Sequence, residues 1–397
     1  MNSSEKDTKK RAIASRLVRA GRDPDLTGPF VNPPVIHAST VLFPDTDTML
    51  GRRQRYHYGR RGTPTSEALE TAISDIEGAA GAVICPSGLN AVSTALLSAL
   101  SAGDEVLIVD CVYGPVRHFA DTVLRRMNID TVYYDPAVGA DIGALFTERT
   151  RAVYLEAPGS LTFEMQDVPA IAAIARERGA VTLFDNTWAT PLYFRPLEAG
   201  IDLSIQAGTK YIGGHSDVNL GFVAANQRHW PALKETHGTL GLCAGPDDIY
   251  LGLRGLRTLA VRMEHQMRSA LTVATWLEQR PEIARVLYPP LPSDPGHALW
   301  KRDMTGACGL FGIVLAGWEL ADAKAFVDGL ELFGIGASWG GFESLAILAD
   351  PRRYRTAAPW TGEGPLIRLH IGLEDPDDLI ADLDASFAGV AEAKLSR

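Results

Sequence analysis

Cysteine is scarce in this chain, with four residues in 397, and none of Cys85, Cys111, Cys243 and Cys308 stands in CxxC spacing. That excludes a disulfide-stapled scaffold and a cysteine-built zinc site, and suits reduced thiols. No apolar run approaches the roughly 20 residues that cross a bilayer. The opening "MNSSEKDTKKRAIASR" lacks the apolar stretch of a secretory signal, so a cytoplasmic protein is expected. Positive charge is also short: 38 Lys and Arg against 48 Asp and Glu give a net charge of -10. A basic footprint for nucleic acid is therefore absent. The local basic cluster Lys6, Lys9, Lys10, Arg11, Arg16 and Arg19 reads as a solvated, mobile tail that docks on another subunit. There is no internal repeat and no low-complexity tract. Strong helical or strand periodicity is missing from the first 60 residues, which carry Pro24, Pro29, Pro33, Pro34 and Pro44 and read as an extended arm.

What is present is a globular composition, 46% hydrophobic and 22% charged, in a chain long enough to bury a large core. Through the middle, short apolar runs alternate with helical patterns. "GAVICPSG" (81–88) precedes a helix over 90–100, "EVLIVD" (105–110) one over 116–127, and "TVYYD" (131–135) follows. "RAVYLEAP" (151–158) precedes a helix over 167–179, then "AVTLFDN" (180–186). Such alternation indicates βαβ units and a mostly parallel sheet. One long helix is expected over 247–280, ended by Pro281 and able to bridge two lobes. Beyond it, strands at 308–317 and 365–372 and helices near 319–330 and 376–392 suggest a smaller α+β domain. The expected division is an N-terminal arm (1–60) contacting a neighbouring subunit, a large α/β domain (61–256) and a C-terminal α+β domain (257–397).

Ligands of open α/β sheets gather at the carboxyl ends of strands. Three candidates fall there. In "CPSGLNA", Gly88 permits close backbone approach and the following helix offers free N–H groups to an anion, although such a turn is often only a turn. Asp185 ends "AVTLFDN"; a buried carboxylate needs a cation or donors, and the plain alternative is a cap or turn residue. Lys210, in "SIQAGTKYIGGHSD", becomes a nucleophilic amine if desolvated beside positive charge, and is a surface lysine otherwise. Taken together, a phosphate-cradling turn, an aspartate for a pyridinium nitrogen and a lysine for an aldehyde are the anchors that pyridoxal 5'-phosphate needs. His215 and Asp217, two potential ligands on one turn, do not make a metal site, and no metal is expected.

Six stretches carry a closer likeness: "YHYGRRGTPT", "EAPGSLTFEMQDVPAI", "DNTWATP", "SIQAGTKYIGGHSD", "SWGGFESL" and "PLIRLHIGLEDPDDLIADLDASF". In this order, from about residue 35 to about 390, the chain resembles the Cys/Met-metabolism family of fold-type-I pyridoxal-phosphate enzymes. Pro158-Gly159-Ser160 and "SWGG" resemble its β-lyase branch, while Gly208 and Leu89 depart from its usual small residues. The resemblance implies that Lys210 carries the cofactor aldehyde and moves protons, and that Asp185 partners the ring nitrogen. It implies that Tyr113 stacks on the ring, and that Gly88, Leu89 and Thr209 hold the phosphate. Tyr58 and Arg60 would reach the phosphate of a neighbouring subunit in a homotetramer, with no nucleic-acid or membrane partner. Arg368 would clamp the substrate α-carboxylate, with Ser338 and Trp339 lining the pocket; otherwise Arg368 is an edge-strand solubiliser. The implied activity is a carbon–sulfur lyase that cleaves L-cystathionine to homocysteine, pyruvate and ammonia, a step of methionine synthesis. The alternatives are a cysteine, cystine or cysteine-S-conjugate β-lyase, or a pyridoxal-phosphate protein with a mainly regulatory, protein-binding role.

Overall fold

A computed structural model describes residues 11–395; Lys6, Lys9 and Lys10 of the basic cluster lie outside the described residues. Its centre is a seven-stranded sheet built from β1 (Gly81–Cys85), β2 (Glu105–Val109), β3 (Asp130–Tyr134), β4 (Thr150–Glu156), β5 (Val181–Asp185), β6 (Leu203–Gln206) and β7 (Gly221–Ala225). The spatial order is β1-β7-β6-β5-β4-β2-β3. Only β7 runs against the others, pairing antiparallel with both β1 and β6. Every residue of β1, β2, β6 and β7 is buried, the near-continuous apolar signature of a sheet covered on both faces. The fold class is the expected α/β one.

Local signals explain the helix that opens the large sheet. Pro64–Glu77 begins at Thr63, whose hydroxyl accepts the Ser66 N–H while the Ser66 hydroxyl accepts the Thr63 N–H, with Pro64 at the first helical position. It ends at Gly78, at φ 69, a left-handed stop that glycine tolerates best. The expected long helix is continuous over Pro246–Leu277. Ile249, Leu253, Leu256, Met263, Ala270, Val273 and Leu277 give it one buried stripe. Near its start it packs on Pro64–Glu77, and near its end on Pro376–Leu395 and β8 (Ile283–Leu287). Position 256/257 therefore falls inside an unbroken helix. The second sheet adds β9 (Leu310–Leu315), β10 (Leu345–Ala349) and β11 (Leu366–His370) in the all-antiparallel order β10-β11-β9-β8.

The structure corrects four details. The N-terminal segment is not simply extended: it carries short helices at Ile13–Arg19, Pro24–Thr27 and Thr46–Leu50. Of the basic cluster, Arg16 is buried against Asp75 of the same chain at 3.2 Å, so this part is not a solvated tail. The stretch 116–127 splits into an α-helix, Gly114–Phe119, and a wider π turn, Ala120–Leu124. Arg368 lies on β11, an inner strand paired on both sides, which excludes the edge-strand alternative.

Candidate active site

Because β1, β2, β4, β5 and β6 share a direction, their carboxyl ends meet at one edge of the sheet. A cavity of about 540 Å³ opens there, lined by Gly88, Leu89, Tyr113, Glu156, Asp185, Thr209, Lys210, Ser338, Trp339 and Arg368 among others. Nine of the eleven site residues expected from sequence are thus brought together. Tyr58 and Arg60 are not. Arg60 lines a separate cavity of about 560 Å³, donates to the Gly238 carbonyl at 3.1 Å, and has its guanidinium 5.7 Å from the half-exposed Tyr58 ring.

Lys210 follows β6 and projects into the cavity. Its Nζ donates to Ser338 Oγ at 2.7 Å and lies 5.2 Å from the Trp339 ring centre. Burial, aided by the nearby Arg368 cation and opposed by Asp185, pushes its pKa down to about 8. About a tenth of this amine is therefore unprotonated at neutral pH, hundreds of times more than for an unperturbed lysine.

Asp185 and Glu156 are paired register partners at the ends of β5 and β4. Burial pushes both carboxyls up, and the Asp185 charge pushes Glu156 up further. Asp185 has the better claim to the negative charge. Its Oδ1 accepts the Thr187 hydroxyl at 2.5 Å and the Thr187 N–H at 3.0 Å, its Oδ2 the Tyr154 hydroxyl at 3.4 Å, and Lys210 adds attraction. Glu156 has the strongly raised pKa and braces the Tyr113 N–H at 2.9 Å. The Tyr113 phenol is likewise pushed up, by burial and by Glu156 and Asp185, so it keeps its proton.

At the other end, the Ser87 hydroxyl takes the Asn90 N–H (3.1 Å) and its carbonyl the Ala91 N–H (3.0 Å). The N–H groups of Gly88 and Leu89, at the first turn of helix Gly88–Ala99, are left for an anion. A Cβ on Gly88 would lie 2.7 Å from the Ala207 Cβ, so only glycine fits this approach. The Thr209 hydroxyl reaches the cavity edge but is engaged with the Leu220 backbone, donating at 3.1 Å and accepting at 2.9 Å. Arg368 Nη2 donates to the carbonyls of Gly336 (3.2 Å), Ala337 (3.2 Å) and Ser338 (2.9 Å). Its Nε is buried without a partner among the described residues. Arg368 itself lines the cavity, and a guanidinium there with unfilled bonding capacity fits a substrate carboxylate. An anion-ready helix start, a buried carboxylate and a lysine amine together fit pyridoxal 5'-phosphate.

Sequence reasoning missed an ionic cluster at the cavity rim. Buried Asp110, just past β2, accepts the N–H groups of Thr356 (3.0 Å), Ala357 (2.9 Å) and Ala358 (2.8 Å) and pairs with Arg117 and, at 3.5 Å, Arg355. Burial alone would raise the Asp110 carboxyl, but these N–H donors and the Arg117 cation outweigh it and hold it below the usual range. Arg355 continues to Glu164 at 2.6 Å and the Thr162 hydroxyl at 3.0 Å. Glu156 and Thr187 were also missed; their positions at strand ends were the only available signal.

Comparison with known proteins agrees with this geometry. The family model described as "Cys/Met metabolism PLP-dependent enzyme" matches residues 14–388. A protein of Rhizobium johnstonii is 55% identical over 383 residues, 96% of each chain. The cystathionine beta-lyase MetC of Escherichia coli is 42% identical over 395 residues, 96% of this chain and 99% of its own. The crystal structure of metB from Corynebacterium glutamicum superposes with a TM-score of 0.90 at 30% identity, covering 97% of this chain and all of that one.

Proposed function

This chain belongs to the Cys/Met metabolism family of pyridoxal-phosphate-dependent enzymes, and from that membership we propose that it is a carbon–sulfur lyase cleaving L-cystathionine, with one water, to homocysteine, pyruvate and ammonia. The single observation that carries the reading is the depressed Lys210 amine, held by Ser338 in one cavity with buried Asp185 and with Arg368. Relatives named cystathionine beta-lyase support the choice of substrate. When bound, pyridoxal 5'-phosphate supplies an electron sink for the pair freed when the substrate Cα–H bond breaks.

The protein's own groups divide the remaining work. The first-turn N–H groups of Gly88 and Leu89 bind the phosphate, with Thr209 shaping the turn beside it through Leu220. Asp185, whose charged form the Thr187 and Tyr154 hydrogen bonds favour against burial, holds a proton on the ring nitrogen. Arg368, at the cavity wall, orients the substrate α-carboxylate through its guanidinium. With Ser338 ready to accept its hydrogen bond, Lys210 removes the proton from Cα. The departing sulfur at Cβ needs a proton. Tyr113, whose phenol is pushed toward its protonated form, donates it, or Lys210 returns the one it took. Trp339 walls the pocket beside the amine. Tyr58 and Arg60, outside this cavity, serve the phosphate of a neighbouring subunit in a cytoplasmic homotetramer.

The test is a parallel assay of the purified holoenzyme on L-cystathionine, L-cystine and L-cysteine, following pyruvate and free thiol. Homocysteine and pyruvate formed preferentially from cystathionine are expected. Pyruvate from cystine or cysteine with cystathionine ignored would keep the cofactor chemistry and refute the substrate. Lys210→Ala should abolish turnover; activity surviving that change would remove Lys210 from the mechanism.

A further inference from the structure

His370 has no part in the chemistry described so far, yet it sits at the end of β11, two residues after Arg368, and is fully buried. Residues two apart on a strand share a face, so both side chains point the same way. That face meets the segment 336–344, which carries Ser338 and Trp339. We propose that His370 is a positioning residue, a neutral imidazole clip that holds this segment over Lys210 and so sets the substrate-carboxylate end of the site.

The chemistry of its partners assigns the tautomer. The Gly340 N–H points at His370 Nε2 at 3.0 Å, and an N–H can only donate, so Nε2 carries the free lone pair. Nδ1 lies 3.0 Å from the Glu343 carbonyl, which can only accept, so Nδ1 carries the hydrogen. One neutral tautomer satisfies both contacts. A protonated ring would set two donors against each other at Gly340. Burial, with the neighbouring Arg368 and Lys210 cations, pushes the His370 pKa down to about 3. The other groups around it do not reverse this. The Glu343 carboxylate faces away to the Ser216 hydroxyl at 2.6 Å, and the Tyr211 ring stands 5.9 Å off.

What the clip holds is the part of the segment nearest the nucleophile. Gly340 adopts φ +85, and a Cβ there would lie 2.9 Å from both the Lys210 carbonyl carbon and the Tyr211 nitrogen. On one side of Gly340, the Ser338 hydroxyl meets Lys210 and three successive carbonyls of 336–338 meet Arg368. On the other, Gln266 holds the Gly341 carbonyl at 2.8 Å. His370 is the side chain that spans this segment, taking one contact before Gly341 and one after it. Without the clip, Ser338, Trp339 and the carbonyls that fix Arg368 lose their common anchor.

The experiment compares His370→Phe and His370→Gln in the full-length protein. Gln places an amide oxygen near the former Nε2 and can accept the Gly340 N–H; Phe fills the volume and accepts nothing. In the cofactor-free protein, amide exchange over 338–344 should quicken about tenfold in the Phe variant and return toward wild type in the Gln variant, the size expected for one buried hydrogen bond. In the holoenzyme, KM for L-cystathionine should rise about tenfold for Phe with kcat within roughly threefold, and Gln should recover most of the loss. If Phe does not fold, His370→Asn, which reaches the Glu343 carbonyl but not Gly340, replaces it in the same comparison with Gln. A Phe variant that is less stable but keeps wild-type exchange over 338–344 and wild-type KM would overturn the proposal and leave His370 a core residue only. The kinetic arm rests on the lyase reading. If wild-type enzyme ignores cystathionine, that reading fails while the exchange comparison still decides the clip.

Discussion

Replacing Gly340 with alanine concentrates the steric logic of the site into one methyl group. Two penalties arise. An L-residue at φ +85 sits near the left-handed region, at a cost of about 1–2 kcal/mol. The methyl carbon would also stand 2.9 Å from two backbone atoms of Lys210 and Tyr211, where unstrained contacts are about 3.5–4.0 Å. Backbone cannot swing aside as a side chain does, so segment 336–344 must retreat by roughly 0.5–1 Å, an overpacking cost of about 1–3 kcal/mol. Together the destabilisation is about 2–5 kcal/mol. The same retreat lengthens the 2.7 Å contact from Lys210 to Ser338 to about 3.2–3.7 Å, at or beyond the edge of hydrogen-bonding range. Urea unfolding should show the lowered midpoint, and steady-state kinetics on L-cystathionine a KM raised at least about tenfold. Gly334→Ala is the control, because the new methyl would meet a flexible Leu345 methyl at 3.3 Å and the Ser344 carbonyl oxygen at an ordinary 3.9 Å, and its φ is not positive. A Gly340→Ala enzyme that matches Gly334→Ala in both midpoint and KM would refute the reasoning.

Three further outcomes follow from the electrostatics. In cofactor-free protein the rate at which pyridoxal 5'-phosphate is captured should rise with pH and level off above about 8, as Lys210 loses its proton. Arg368→Leu removes a repelling cation, so that midpoint should move to higher pH; a downward move would contradict the assigned cause. Asp185→Asn keeps the shape but not the charge and should lower kcat by roughly 10²-fold or more, with cofactor still bound by absorbance; near-normal kcat would remove Asp185 from its role. Asp110→Asn leaves Arg117 and Arg355 short of a buried counter-charge and should destabilise the protein by about 3–5 kcal/mol in urea, whereas a change under about 1 kcal/mol would show the cluster to be dispensable.

The sequence made the central sheet legible because its strands are short apolar runs separated by helical periods, and Lys210 and Asp185 because strand ends are where such sheets hold ligands. Three strands escaped notice. Gly221–Ala225 follows a glycine-rich turn with no crossover helix before it, and Ile283–Leu287 and Leu345–Ala349 are five-residue runs of mixed burial. The cluster of Asp110, Arg117, Glu164 and Arg355 left no trace, since Asp110 meets backbone 246 to 248 positions further on. Local spacing carries no information about pairs that distant. His370 stood inside a quoted stretch, but an alternating strand pattern cannot say whether an inward histidine is filler or a clip.

The rim cluster also says how this protein could be taken apart or recombined. Its four charges, Asp110 and Glu164 against Arg117 and Arg355, sum to zero, and three lie before the long helix while Arg355 lies after it. Split anywhere in that helix, the chain would give one fragment with Glu164 as a surplus carboxylate and another with a buried guanidinium that has lost both its carboxylate partners. Chimeras that graft a foreign C-terminal part onto this sheet therefore need an arginine supplied at position 355, together with a loop at 356–358 that can turn three N–H groups toward Asp110.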